Sequence, residues 1–236
     1  MKTALFTLVL SLLFLASFVN AAEFSADMSI ETLVGPQSGK LYHKNSDISR
    51  ADIMGMINIM KHPYVYQVFE GTKKYVVMDL DELSKDNPAA NIRDFNKFVK
   101  ENSFKKVGSE ILQGYKCDIW EGVLNISPEP GEMPMTVPMK LWYSKELDYP
   151  IRTESTLPPL MGGKSVSSLE NIRKDRQAAS LFEIPSGYSE VESVSEAMGY
   201  GPMPSMPGSG GSMPSPEEME QMMRMMQEMI KQQSPQ

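Results

Sequence analysis

Residues 108–124 read GSEILQGYKCDIWEGVL and residues 137–156 read VPMKLWYSKELDYPIRTEST, and in both runs apolar and polar side chains alternate. A period of two predicts β-strands with two unlike faces. Trp120 and Trp142 fall on the otherwise polar positions, which predicts that a helix or the tail covers part of that face. The break at residues 127–134 contains three prolines and a glycine, so we predict an exposed connection there. The centre of the chain is therefore predicted to be antiparallel sheet.

The chain before this stretch shows the same alternation in shorter runs. We predict a turn at Gly35–Pro36, a second turn at Asn45–Asp47 and a hairpin turn at Glu70–Lys73. The strands predicted around these turns are residues 26–33, 39–44, a pair of short strands within 48–62, 64–69 and 74–80. Up to Leu80 the chain is predicted to be a meander.

One polar segment carries apolar side chains at helical spacing. Ile92, Phe95, Phe98 and Val99 form such a stripe, and Asn91 is placed to cap a helix that ends near Glu101. After the central stretch, residues 150–155 and 164–173 are predicted to continue the sheet, and residues 178–188 to close the domain. The predicted fold class is mainly β (α+β), a curved antiparallel sheet or incomplete β-barrel with one or two covering helices.

The N-terminus has the pattern of a secretory leader. Lys2 precedes an uncharged apolar run, and small residues stand at Ala21 and Ala22, so residues 1–21 are predicted to be a signal peptide. The mature protein is then expected to be periplasmic or secreted and soluble. No cysteine lies at the predicted cut, so we do not expect a lipid anchor.

Composition excludes some functions. The formal net charge of −7 argues against nucleic-acid binding, which needs clustered Lys and Arg. Cys117 is the single cysteine and cannot form a disulfide within the chain, so we predict a small buried hydrophobic residue at this position. The two histidines, His43 and His62, accompany no recognisable nucleophile motif, so we predict no catalytic residues, no cofactor and no metal among the strands.

The composition changes near Ser193. Residues 22–192 are predicted to be the folded domain, and residues 193–214 a disordered linker rich in Gly, Pro, Ser and Met. Residues 215–233 then begin with a capping box and form an amphipathic helix. Its apolar stripe, predicted to dock on a partner protein or a membrane, is Met219, Met222, Met223, Met226, Met229 and Ile230.

Several strand ends and turns carry a resemblance to a known family. The residues concerned are Gly39–Tyr42 before Arg50, Gly108–Glu110 through Gly114–Cys117, Leu141–Tyr143 with Tyr149–Ile151, and Asn171–Ile172 leading to Leu181–Tyr188. They resemble an uncharacterised bacterial family, a domain of unknown function related to the LolA-like periplasmic lipoprotein carriers. The resemblance covers roughly residues 24–192. It implies a strongly curved sheet whose concave apolar face holds acyl chains under a lid of helices.

The apolar positions of the strands are the candidate ligand site. We predict that they hold a lipid-like or lipoprotein ligand on the concave face, without enzymatic activity. The predicted lining residues are Met28, Ile30, Tyr66, Val68, Val76, Met78, Cys117, Ile119, Leu141 and Tyr143. Two alternatives stay open: Cu(I) handling by the thioethers of the Met-rich tail, and a structural interaction module with a filled core.

Overall fold

The computed structural model describes residues 23–32, 35–86, 94–126, 135–157 and 163–199. Most of these residues lie in strands of one open, curved, twelve-stranded sheet. The strands are β1 (Phe24–Thr32), β2 (Gly35–Asn45), β3 (Ile48–Ile53), β4 (Met56–Lys61), β5 (Tyr64–Phe69), β6 (Lys74–Asp79), β7 (Lys105–Leu112), β8 (Tyr115–Ile126), β9 (Met135–Ser144), β10 (Tyr149–Thr156), β11 (Lys164–Arg173) and β12 (Ser189–Glu190). The helices are α1 (Leu80–Asp86), α2 (Phe95–Glu101) and α3 (Val194–Ala197), with a short 3-10 helix at Ala179–Phe182.

The strand order is β12-β6-β5-β4-β3-β2-β1-β11-β10-β9-β8-β7. All neighbours pair antiparallel except β12, which runs parallel to β6. Two meanders, β2–β6 and β7–β11, are therefore joined through β1, which pairs with both β2 and β11. The predicted mainly β fold with few helices is confirmed.

Directly paired residues of antiparallel strands lie on the same face of a sheet, so the register defines the two faces. Met28 pairs with Gly39, and this face continues through Leu41, Ala51 and Asn58 to Gln67. We call it the inner face. Its buried residues form most of the main cluster, which is Phe24, Ala26, Met28, Ile30, Leu41, Ala51, Ile53, Met60, Val65, Leu80, Cys117, Trp142, Leu147, Tyr149, Ile151 and Leu169.

The outer face of β2–β6 carries a smaller cluster. Ile57, Ile59 and Val68 pack there against Phe182 of the 3-10 helix. Arg50 holds the 3-10 helix against the sheet, because its Nη1 donates to the carbonyl oxygen of Leu181 at 2.9 Å. The segment that follows β11 therefore covers this part of the outer face.

Helix α2 covers the other meander. Phe95, Phe98 and Val99 are its buried residues, and they pack on β8 and β9 in a helix cluster with Leu124, Val137, Met139, Leu141 and Tyr143. Phe95, Phe98 and Val99 of the predicted stripe are confirmed, and Ile92 lies outside the described residues. The cap of the helix is Asp94 and not Asn91. The Lys97 backbone N–H donates to Asp94 Oδ1 at 2.9 Å, and the helix begins at Phe95. Asp94 lies one turn closer to the apolar stripe and can satisfy the first free N–H groups.

Three further predictions are corrected by the structure. Gly35 and Pro36, predicted as a turn, already pair with Thr32 and Glu31 at the start of β2. The strand predicted at residues 74–80 ends at Asp79, because Leu80 begins helix α1 and packs with Leu83 on the main cluster. The domain extends beyond residue 192, because α3 is ordered and Ala197 is buried on the sheet.

Some predictions concern residues outside the described ranges. These are the signal peptide at 1–21, the connection at 127–134, the remainder of the linker from residue 200 and the Met-rich helix at 215–233. Within the described ranges, no helix has the length and hydropathy needed to span a bilayer.

Candidate ligand-binding face

The predicted lining residues do not all lie on one face. Leu141 pairs with Thr153, Thr153 with Ser167, and Ser167 with Ile30, so Leu141 and Ile30 share the inner face. By the same logic of register and alternation, the inner-face members of the predicted set are Met28, Ile30, Val76, Met78, Leu141 and Tyr143. The structure thus brings six of the ten predicted residues to one side of the sheet.

Of the other four predicted residues, two lie on the outer face and two pack with the main cluster from β8. Tyr66 pairs with Ile59, and Val68 with Ile57, so both lie on the outer face under the 3-10 helix. Cys117 and Ile119 project from the face of β8 opposite to Trp120, the partner of Leu141, yet both pack with the main cluster that contains Met28 and Ile30. Strand β8 is apolar on both sets of positions, and alternation alone therefore could not assign its faces. Val123, placed with Cys117 by alternation, is 47% exposed, whereas its neighbour Leu124 is buried.

Polar side chains that were not among the predicted lining residues also lie on the inner face. His43 pairs with Ser49 across β2 and β3, and Asn58 pairs with Gln67 across β4 and β5; all four are buried. Thr153, Ser155 and Ser167 extend this polar content to β10 and β11. The sequence signal that could have identified them is a polar residue at a strand position where alternation predicts an apolar one. The inner face is thus apolar with a few buried hydrogen-bonding groups.

Asn58 and Gln67 form a buried amide pair. Gln67 Nε2 donates to Asn58 Oδ1 at 3.2 Å. Gln67 is 0% exposed, and its Oε1 has no hydrogen-bond partner among the residues that the structure describes. An acceptor buried in this way costs about 1–3 kcal/mol in desolvation. The pair is therefore a candidate contact for a donor group of a ligand.

His43 lies in an aromatic environment. Its ring centroid is 5.0 Å from that of Phe24 and 5.3 Å from that of Tyr149. Neither ring nitrogen has a hydrogen-bond partner within the described part of the chain. Burial lowers the pKa of His43 from 6.5 to about 3, because the charged imidazolium would lose its hydration. The imidazole is therefore neutral at physiological pH.

Cys117 is a buried thiol, as the sequence predicted. Burial raises its pKa to about 11, and the negative charges of Glu110 and Asp118 act in the same direction. A thiol with so high a pKa forms little thiolate and is a poor nucleophile. Its neighbour Asp118 has the opposite shift. Lys106 Nζ at 2.7 Å and Lys145 Nζ at 3.3 Å lower the pKa of that carboxyl group.

A small polar group borders the helix cluster. The Tyr143 hydroxyl donates to Asp148 Oδ1, and the Tyr143 ring stacks on Phe95 at 3.8 Å between centroids. Burial raises the pKa of Asp148, and the nearby Asp94 carboxylate adds to the rise. Burial also raises the pKa of Tyr143. These groups attach α2 to β9 and to the turn that follows it.

The segment Val191–Gly199, which we call the strap, lies against the inner face at the β6 edge. Val191, Val194, Ala197 and Met198 pack with Phe69 and Val76. Among the described residues, no group of three or more His, Cys, Asp or Glu side chains is placed to hold a metal ion. The inner face thus presents apolar side chains, a buried amide pair and a neutral histidine.

Three solved structures that resemble this chain are distant from it in sequence. An uncharacterized conserved protein from Thermus thermophilus is 11% identical, with 79% of this chain and 98% of that chain covered and a TM-score of 0.49. The LolA superfamily protein NE2245 from Nitrosomonas europaea is 12% identical, with 74% and 97% covered and a TM-score of 0.40. The Mycobacterium tuberculosis lipoprotein LppX is 10% identical, with 75% and 97% covered and a TM-score of 0.38.

None of the curated proteins matches the chain. A family model does match, over residues 20–149, and it spans β1 to the start of β10. The chain therefore belongs to the family described as Domain of unknown function (DUF4412).

Proposed function

We propose that this domain is an exported, non-enzymatic binding protein that holds a lipid-like or lipoprotein ligand on its inner face. The observation that carries the proposal is the extent of this face relative to its cover. Apolar inner-face residues run from Met78 on β6 to Leu141 on β9. In the described part of the chain, the helical cover consists of α1 and α2, each of seven residues, and α3, of four residues.

An acyl chain fits the chemistry of this face. Each buried methylene contributes about 0.8 kcal/mol, so a long chain needs only apolar contact along the sheet. Ligand sites are mostly apolar with a few polar groups that fix orientation. The buried amide pair and His43 supply such groups. Side-chain repacking by Met28, Met60 and Met78 would adapt the face to ligands of variable shape.

Histidine and cysteine are common catalytic residues, but the properties of those in the described chain favour a non-enzymatic role. His43 is neutral with a pKa of about 3, so it is a weak base. His62 follows β4, and its Nε2 is 3.4 Å from Asp81 Oδ1. Cys117 has a pKa of about 11. Among the described residues, no hydrogen bond joins its thiol to either histidine.

The place of action that we propose is the periplasm or the outside of the cell. The leader pattern at residues 1–21 and the single cysteine support export of a fold that needs no disulfide. The Met-rich segment at residues 215–233 would then dock on a partner protein or a membrane through its apolar stripe.

Native mass spectrometry of the mature protein from an exported fraction tests the proposal, followed by solvent extraction of whatever is bound. We expect a stoichiometric species with an acyl chain. Met78→Trp should reduce its occupancy, because a larger side chain fills inner-face space. Val77→Trp is the matched control, since Val77 is the next residue, similarly half-buried, on the outer face. A bare mass under conditions that preserve lipid complexes would overturn the proposal.

One observation favours a second candidate, an interaction module with a filled core. Leu41, Val65 and Val68 are 0% exposed, as expected of a packed protein interior. A filled core predicts that acyl probes fail to bind at any concentration below their solubility limit. It also predicts that Met78→Trp lowers stability, whereas a site with free volume would accept the larger side chain.

A further inference from the structure

The C-terminal part of the domain passes from one face of the sheet to the other. Leu181, Phe182 and Tyr188 pack in the outer cluster, and β12 then pairs with β6 along the sheet edge. Beyond this edge, Ala197 is buried with Phe69 and Val76, which are inner-face residues. The strap therefore covers the inner face at β5 and β6.

Few polar bonds hold the strap. The Val191 N–H donates to the Tyr75 carbonyl at 2.9 Å, and the Thr72 hydroxyl donates to the Ala197 carbonyl. Lys74 Nζ is 3.6 Å from Glu196 Oε1, an ion pair whose side chains are 32% and 45% exposed. Exposed pairs of this kind contribute about 0–1 kcal/mol. A helix of four residues also has little stability of its own.

The buried amide pair lies directly beside this cover. Gln67 pairs with Val76 on one side and with Asn58 on the other. Phe69, two residues along β5, and Val76 both pack against Ala197. Gln67, whose Oε1 is unsatisfied among the described residues, therefore neighbours two residues that the strap covers. Displacing the strap would open the inner face next to an acceptor that needs a donor.

We propose that the inner face around Gln67 is a ligand subsite beneath the strap, and that Gln67 Oε1 accepts a hydrogen bond from a hydroxyl or amide N–H of the ligand. This inference rests on the proposed function, because it specifies the chemistry of the lipid-like ligand. Gln67 Nε2 already donates to Asn58, so the vacant role at this position is that of acceptor. A ligand group that can only accept, such as an ester, leaves Oε1 unsatisfied.

Two probes of equal chain length test this chemistry. Monopalmitoylglycerol carries two hydroxyl donors, and methyl palmitate carries none. We expect the full-length mature protein to bind monopalmitoylglycerol about fivefold to tenfold more tightly, the ratio that one additional hydrogen bond supplies. Equal affinities of the wild-type protein for the two probes would overturn the role of Gln67 and would leave the proposed function standing. Binding of neither probe would overturn both.

Variants of the amide pair test whether Gln67 causes the preference for monopalmitoylglycerol over methyl palmitate. Gln67→Met removes the acceptor and keeps an unbranched side chain, so the affinity ratio should fall to about one. Asn58→Leu is the matched control, because it breaks the same buried pair and leaves Gln67 Oε1 in place. The control should keep the preference for monopalmitoylglycerol. A preference that persists in Gln67→Met overturns the assignment.

The cover is tested by loosening the strap. Ala197→Glu places a charge among Phe69 and Val76 and should displace α3. We expect the association rate of monopalmitoylglycerol to rise severalfold, with faster hydrogen exchange at the β6 edge. Ser193→Ala, which removes only the N-cap acceptor for Glu196, should give a smaller change in the same direction. A lower association rate would show that the strap is not a removable cover.

Discussion

Gly39 on the inner face of β2 has no room for a side chain beside β3. A Cβ atom built on it would be 2.3 Å from the Asp52 carbonyl oxygen and 2.7 Å from Ile53 Cγ1. Backbone cannot move aside as a flexible side chain can. We therefore expect Gly39→Ala to lower the free energy of unfolding by about 1–3 kcal/mol in urea titrations. Gly71→Ala, at a turn with open space around the Cβ position, should change it by less than about 0.5 kcal/mol.

His43 makes stability depend on pH. Its folded-state pKa of about 3 is below the usual 6.5, so the unfolded chain binds the proton first as the pH falls. The contribution of the neutral imidazole is complete above about pH 6.5, and it is lost progressively towards pH 3, by at most about 1.4 kcal/mol per pH unit. His43→Leu should therefore flatten the fall in unfolding free energy between pH 7.5 and pH 4.5. Parallel pH profiles for the two proteins would contradict this linkage.

Helix α2 depends on one capping side chain for its start. Asp94 accepts from the Lys97 N–H, and α2 brings Phe95 onto Tyr143 and Trp120. Asp94→Ala should cost about 1 kcal/mol of stability in urea titrations and speed hydrogen exchange in α2. Asp94→Ser, which keeps an oxygen acceptor, should retain most of that stability. If alanine and serine behave alike, the cap contributes nothing and packing alone holds α2.

The strands were largely predictable, because alternation with turn signals sets their positions with little help from the rest of the molecule. Residues 164–173 were predicted as a strand and form β11. The faces were harder to predict. Strand β8 is apolar on both parities, and only α2 decides that Leu124 is covered while Val123 is exposed. Tyr66 and Val68 likewise reach the outer face because the distant 3-10 helix covers them.

The polar part of the candidate site was missed for a related reason. His43, Asn58 and Gln67 stand among apolar residues of short strands, and a polar side chain there predicts a solvated position. Their strand partners are close in the chain, but part of their cover is distant: His43 packs beside Tyr149, and the strap packs on the neighbours of Gln67. Strap contacts on Val76 come from residues more than 100 positions away, and no local pattern encodes them.

The whole sheet is joined through β1. It links the meander β2–β6 to the meander β7–β11, and Met28, which is 2% exposed, lies at that junction opposite Gly39 and Leu169. An unpaired carboxylate buried there should cost more than about 4 kcal/mol. Because neither meander has another partner among the described strands for its β1-facing edge, we expect Met28→Asp to unfold both together.

Hydrogen exchange with mass spectrometry tests this cooperativity, with β4 and β9 as reporters on the two sides of β1. In Met28→Asp both strands should lose protection to the same extent. Ser29→Asp, a half-buried position on the opposite face of β1, is the control and should leave both protected. Loss of protection in β4 with β9 unchanged would mean that the second meander and α2 fold independently, and that β1 adds to a sheet already formed.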